Sequence, residues 1–268
     1  MKYLNIVTIC CLIAFYGCTV KKETATSKTT DSSGQLKILC YNIHHANPPS
    51  KVGFIDIDAI ARVINDSKAV VVTLQEVDKN TVRSGKMDQA KVIAEKTGMN
   101  YHFFKAIDHD GGDYGLAILS RFPLKDIKSF PLPQKVLAEK RILAQVTIKI
   151  GKQDVIFANT HMDATRGHEN RTAQMQFITD LYKNTTAPII ISGDFNSKDG
   201  SEAIKLLDQQ FKRTCITNCP PTVPQINPRS TIDYIATKNI DWPMLKHEVI
   251  EEIYASDHRP ISAIFKIK

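Results

Sequence analysis

Beyond residue 35 the chain alternates short apolar runs with polar breaks, and the period of each run predicts an element. "LKILCYNIH" reads as an extended segment, while "DIDAIARVINDS" sets Ile57, Ile60, Ala61 and Ile64 at helical spacing behind an acidic start. "AVVVTLQEV" has the nearly continuous apolar character of a strand buried on both faces. "DQAKVIAEKTG" predicts a second helix closed by Gly98. Strands are then predicted at "YHFFKAI", "GLAILSRFP", "RILAQVTIKI" and "DVIFANTHMD". A third helix at "HENRTAQMQFITDLYKN" leads into the strand "PIIISGDFN", and a fourth at "SEAIKLLDQQF" precedes the closing strands "TIDYIATKN" and "HRPISAIFKIK". Two halves thus repeat a plan of strands plus helices. No low-complexity linker divides residues 36–268, so a single α/β domain is expected. Many strands with few helices suggest two mostly antiparallel sheets packed face to face, with the helices outside.

The first 35 residues follow another pattern. "MKYLNIVTICCLIAFYGC" has one Lys, an apolar run over residues 4–16 broken by Asn5 and Thr8, and then Gly17-Cys18. That run falls short of the roughly 20 residues a spanning helix needs and has the size of a secretory apolar region. Gly before Cys resembles the lipobox of bacterial lipoprotein signal peptides. The resemblance implies a signal peptide over residues 1–17 and a lipid on Cys18, the new N-terminus. Residues 18–35 contain almost nothing that can pack and read as a hydrated tether. The expected protein is exported and anchored to a membrane of a bacterial cell envelope.

Composition changes this picture little. Hydrophobic residues at 43% and charged residues at 24% are ordinary for a globular protein. The net charge of +7 is spread without a dense basic run, which argues for solvated surface rather than a nucleic-acid or anionic-membrane face. Cys10, Cys11 and Cys18 belong to the export segment. Cys215 and Cys219 are spaced for a local disulfide in an oxidising compartment, and Cys40 reads as a buried free thiol. A zinc site is not expected, because no CxxC pair or suitably spaced His accompanies them.

The candidate chemistry sits where the apolar runs stop. Asn42 ends the first strand, Glu76 the second, and His161 and Asp163 follow "VIFA". Asp194 and Asn196 end "IIISGDFN" on one face of an extended chain, Asp233 lies in "TIDYI", and Asp257-His258 precedes the last strand. Each alone is a common turn or capping residue. Together they are best tolerated if the tips converge, since an unpartnered buried polar group costs a few kcal/mol. Converging carboxylates call for a cation, and an oxygen-rich set suits Mg²⁺.

The blocks "YNIHH", "LQE", "GLAILSRFP", "NTHMD", "GDFN", "TIDYI" and "SDHRP", in that order, resemble the endonuclease/exonuclease/phosphatase superfamily over residues 36–268. The resemblance implies a four-layer α/β/β/α sandwich with a divalent metal, Mg²⁺ or Mn²⁺ as substitute, at the strand tips. It implies Glu76 as principal metal ligand, with Asn42 and Asp257 close to the metal or its waters. Asp194 is implied to position or deprotonate the attacking water, and Asn196 to bind a phosphoryl oxygen. Asp233 would orient His258, itself a general base or a phosphate-binding cation. His161, as imidazolium, would stabilise the transition-state charge or protonate the leaving oxygen. Arg141 and Arg171 stand where the family often has Arg, for phosphate contact or for a structural salt bridge. Arg166 and His168 are weaker candidates for substrate contact, and Tyr114-Gly115 is expected to shape its strand.

The expected activity is hydrolysis of a phosphodiester by activated water, in a monomer. Nuclease action on DNA or RNA competes with action on a phospholipid, sphingomyelin or inositol phosphate. Short loops without a basic arm do not indicate extended duplex binding, and the single Trp242 reads more simply as packed than as membrane-inserting. A surface binding protein that keeps the fold is the non-enzymatic alternative, and it would have no use for a proton-transfer pair.

Overall fold

The computed structural model describes Met1 and residues 34–267. The expected signal peptide after Met1, Cys18 and nearly all of the expected tether lie outside the described residues. The first half of the chain forms β1 (Gln35–Asn42), α1 (Ile57–Ser67), β2 (Val71–Lys79), α2 (Gln89–Thr97), β3 (Asn100–His109) and β4 (Gly112–Ser120). Next come β5 (Lys125–Pro131), β6 (Ile142–Ile150), β7 (Gln153–His161), α3 (Glu169–Tyr182), β8 (Ile189–Asp194) and α4 (Glu202–Asp208). The short β9 (Lys212–Arg213), then β10 (Asp233–Lys238), β11 (Met244–Val249) and β12 (Ile261–Lys266), complete the domain.

Local signals set the helix ends. Asp56 accepts the Ala59 N–H at the start of α1, and Asp88 accepts that of Lys91 at the start of α2. Gly98 ends α2 in the left-handed region, as its position predicts. The strands β5, β9 and β11 were not indicated by the apolar pattern. Two of them, β5 and β9, are the two opposite edges of one sheet, and β11 is an edge of the other. An edge strand with exposed side chains has no buried face to impose a period of two.

The two six-stranded sheets run β11-β12-β1-β2-β4-β3 and β5-β6-β7-β8-β10-β9. Position by position the orders match, so the two halves share one topology, with β11 and β12 completing the first sheet from the far end of the chain. Each sheet is antiparallel except for one central parallel pair, β1–β2 or β7–β8. Those two pairs are the ones whose connections contain α1 and α3, as a parallel pairing requires. Alternation builds the layers. Leu36, Ile38 and Cys40 of β1 face the other sheet, whereas Leu39 and Tyr41 pack beneath the first two helices. On β8, Ile190 faces inward and Ile189 and Ile191 pack beneath α3 and α4. The result is the four-layer α/β/β/α sandwich.

The space between the sheets turns polar toward one end. Thr73 Oγ1 and Ser192 Oγ meet at 2.8 Å across it, and Gln75 Nε2 donates to Asn159 Oδ1 at 2.7 Å. The Asn159 amide also donates to the carbonyls of Leu74 and Ala117, and the Cys40 thiol contacts Gln75 Oε1. All five side chains are essentially buried, so each of these contacts replaces water that the site cannot admit. The belt pins the two sheets in register just below the polar strand tips.

Gly193 in "SGD" is fixed by crowding. A Cβ there would lie 2.0 Å from the Thr160 carbonyl oxygen of the neighbouring parallel strand. Gly193→Ala is expected to cost roughly 2 kcal/mol or more, through a forced separation of β7 and β8. Urea denaturation would measure it, and an unchanged midpoint would contradict the close approach.

Candidate active site

The topology explains why polar residues end some runs and begin others. β1, β2, β7 and β8 finish at one edge of the sandwich. β10 is antiparallel to β8 and β12 to β1, so both start there. Asp233 is accordingly paired in register with Asp194, and His258 enters the same edge just before β12.

Glu76 is aimed by a bulge. The register of β2 against β4 shifts between Leu74 and Val77, and Glu76 within that shift has φ 57°. A left-handed, non-glycine residue in a strand is strained, and the bulge turns its carboxylate toward the second sheet. Asn42 meets it there. Its Nδ2 donates to Glu76 Oε1 at 3.0 Å and to Asp194 Oδ2 at 3.1 Å, while its Oδ1 accepts the His44 N–H. The amide nitrogen, not its oxygen, faces the carboxylates.

Asp194 lies at the centre. One oxygen accepts the Asn196 N–H at 2.9 Å. The other has His161 Nε2 at 3.5 Å and His258 Nε2 at 3.7 Å. His258 Nδ1 lies 3.0 Å from Asp233 Oδ2, an oxygen that also accepts the Thr222 hydroxyl. Arg141 Nη1 is 3.1 Å from His161 Nδ1. A guanidinium only donates, so this ring nitrogen is the acceptor and the His161 proton resides on Nε2, facing Asp194. Arg141 also pairs with Glu139 at 2.9 Å, so it serves as the orienter of an imidazole as well as one arm of a salt bridge.

Burial and neighbouring charges separate these groups electrically. Burial and then the Arg141 charge push His161 down to about 3, outweighing Glu76. The expectation of an imidazolium at His161 is therefore corrected: in this arrangement it is a neutral N–H donor. His258 goes the other way. Burial opposes its charge, yet Asp233, with help from Asp194 and Asp257, raises it to about 10. Burial acts against the Glu76 charge too, but His45, His161 and Asn42 hold that carboxyl well below the usual range. Asp194 is pushed upward by burial and by the Asp233 charge.

Asp194, Asp233 and His258 offer ligand atoms within 4.8 Å of one another. Their carboxylate oxygens are hard donors of the kind a divalent ion takes. Glu76, whose carboxylate shares the Asn42 amide with Asp194, adds a further oxygen at the same strand tips, and the residues present thus fit such an ion.

The remaining candidates fall in different places. Asp257 is half-buried, and its carboxylate lies 3.3 Å from Ser256 Oγ, a hydroxyl that also bonds the Asn42 carbonyl at 2.7 Å. Asn196, in the left-handed region at φ 47°, donates its amide to the Met162 carbonyl at 3.0 Å. The Arg171 guanidinium donates to the carbonyls of Asp163, Thr165 and Gly167 and so shapes the loop after β7. Arg166 and His168 are exposed on or beside that loop. Gly115 is crowded by the Phe104 carbonyl, 2.0 Å from where its Cβ would be, and Trp242 is packed between the sheets. The Cys215–Cys219 disulfide forms and Cys40 is a buried free thiol.

Gln75, Asn159, Ser256 and Thr222 were missed by sequence reasoning. The first two had a usable signal, a polar residue inside an apolar strand at an inward position. Thr222 and Ser256 lie in irregular segments, where no period distinguishes a supporting hydroxyl from a surface one.

Residues 39–258 match the family model described as the endonuclease/exonuclease/phosphatase family. This chain belongs to that family, whose members are generally hydrolases acting on phosphate esters. No curated protein sequence matches it. An endonuclease/exonuclease/phosphatase family protein from Bacteroides thetaiotaomicron is similar in structure, with TM-score 0.72 and 17% identity over 87% of this chain and 98% of that one. A mannosyl-6-phosphatase of the same organism has TM-score 0.69 and 18% identity, covering 85% of this chain and 98% of its own. The human Nocturnin catalytic domain with bound sulfate anion has TM-score 0.70 and 20% identity, over 88% and 94%. These likenesses establish the fold.

Asp233→Asn is expected to lower the His258 pKa from about 10, because the main charge that raises it is removed while burial still acts. A ¹H–¹⁵N NMR titration of the imidazole would detect it. An unchanged titration would assign the proton's stability to Asp194 and Asp257 instead.

Proposed function

We propose that this protein is a phosphodiesterase dependent on a divalent cation, Mg²⁺ with Mn²⁺ as substitute, that cleaves its ester with an activated water. The observation that carries the reading is Asp194 held between two imidazoles of opposite character, at 3.5 and 3.7 Å, beside an ionised Glu76. A carboxylate whose proton affinity is raised by burial suits general-base work near neutral pH, and Asp194 is assigned to the water. His258, charged through Asp233, is assigned to a phosphoryl oxygen. His161 keeps its Nε2–H for the phosphoryl or leaving oxygen because Arg141 occupies its other nitrogen. Asn196, fixed by the Met162 carbonyl, has a second amide N–H for the substrate. Glu76 is the principal residue that would hold the cation, with Asn42 and Asp257 beside it; the ion's chemistry there is neutralisation of charge on phosphoryl oxygens.

Open space beside Asn196 and beside Arg141 supports a diester. A cavity of about 500 Å³ adjoins Asn196, His168 and Lys198, and one of about 480 Å³ adjoins Arg141, Lys105 and Lys140. Both arms of an esterified phosphate have somewhere to go. The identity of those arms, nucleic acid or lipid headgroup, is read by a substrate panel of plasmid DNA, RNA, sphingomyelin and phosphatidylinositol.

The purified full chain is expected to act as a monomer, to hydrolyse bis-p-nitrophenyl phosphate with Mg²⁺ and to stop when EDTA is added. Glu76→Ala and His258→Ala should each lower the rate by about 10²–10⁴-fold while circular dichroism is unchanged. Normal turnover in both would refute the assignment, and no turnover on any ester would favour a binding protein. We further propose export and lipid anchoring at Cys18, a reading the Cys215–Cys219 disulfide supports because such bonds persist in oxidising compartments. Labelled palmitate should enter the wild type and not Cys18→Ser; equal labelling would exclude that anchor.

A further inference from the structure

The turn after β1 places three successive non-glycine residues in the left-handed region: His44 (φ 46°), His45 (φ 42°) and Ala46 (φ 56°). Each such residue costs roughly 1–2 kcal/mol, and in succession they are rare. Several bonds impose the conformation. His44 N–H donates to Asn42 Oδ1, the His44 Nδ1 lies 2.8 Å from the Asn47 carbonyl, and Gln89 Nε2 donates to the His45 carbonyl at 2.7 Å. The two rings consequently sit with centroids 4.5 Å apart, on the Glu76 side of the strand tips.

His45 Nδ1 is buried there without a hydrogen-bond partner. It faces Glu76 Oε2 at 3.9 Å, beyond hydrogen-bond reach, while the other Glu76 oxygen is occupied by Asn42. A buried ring nitrogen and a carboxylate oxygen thus confront each other across a gap. Two ligands of a cation at about 2.1 Å lie at most about 4.2 Å apart, so one ion can reach both atoms across this gap, and a small rotation of either side chain brings them to the roughly 3 Å of adjacent ligands.

We propose that His45 Nδ1 joins Glu76 in holding the divalent cation, so that the donor set includes an imidazole nitrogen. This rests on the reading of Glu76 as cation ligand given above. Its consequence is selectivity: an imidazole donor raises the affinity for Mn²⁺ and its later neighbours relative to Mg²⁺, which keeps to oxygen, while the carboxylate oxygens that let Mg²⁺ bind remain. The strained turn is then the device that brings the ring to the carboxylate.

The test needs no turnover. Mn²⁺ is titrated into the metal-free full chain and followed by the electron paramagnetic resonance signal of free Mn²⁺, with electron spin-echo modulation reporting any ¹⁴N bound to the ion. The wild type should show imidazole-nitrogen coupling. His45→Ala and His45→Gln should both lose it, with Mn²⁺ affinity reduced about tenfold or more and Mg²⁺ competition nearly unchanged. Coupling that persists in both variants, coupling absent from the wild type, or equal losses for the two ions would each overturn the proposal. Mn²⁺ binding that survives Glu76→Ala at full strength would instead sink the assignment of the cation to Glu76, and this inference with it.

Discussion

Asn42 divides its amide protons between carboxylates from two different sheets, Glu76 on β2 and Asp194 on β8. Everything else about the site follows from having to keep those two acids close and buried. Without the shared donor they would repel across a low-dielectric gap, and one would take up a proton or leave. With it, the sheets are tied at their tips as they are tied lower down by Thr73–Ser192 and Gln75–Asn159. The sandwich interior is therefore graded along its length. It is aliphatic at one end, amide and hydroxyl in the middle, and charged at the other. The middle level pairs its own polar groups, and at the charged level the Asn42 amide, Asp194 and Asp233 are paired while His45 Nδ1 is not.

Chain direction does the rest. A parallel pair at the centre of each sheet delivers two C-terminal ends to the same edge, and antiparallel neighbours deliver N-terminal ends there. The shared topology of the halves means that the acids and imidazoles come from comparable strands of both. Opposite electrical characters then arise from the second neighbour of each imidazole. Arg141 beside His161 favours the neutral ring, and Asp233 beside His258 favours the charged one. A single carboxylate between them meets one ring that donates without charge and another that donates with it.

The sequence made much of this legible, unevenly. The buried strands and the four helices followed from their periods because their faces are defined by burial, whereas β5, β9 and β11, at sheet edges, had no such constraint. The polar residues at strand tips were visible as interruptions of apolar runs, and their family order pointed to their roles. Which nitrogen of His161 carries the proton was not visible, since it depends on Arg141 arriving from the loop before β6. Arg171 looked equivalent to Arg141 in sequence, yet it is held by three backbone carbonyls. Nothing in an Arg codon distinguishes these fates; only the loop that closes around the side chain does.

The orientation of β1 has one more consequence. Its first residue, Gln35, pairs with Lys266 near the end of the chain, and its last, Asn42, is in the site. Eight extended residues span about 25 Å, so whatever precedes Gln35 joins the domain at the pole opposite the acids. The chain therefore enters the fold about one strand length away from its acids, so a fusion or an attachment before Gln35 leaves the mouth of the site uncovered.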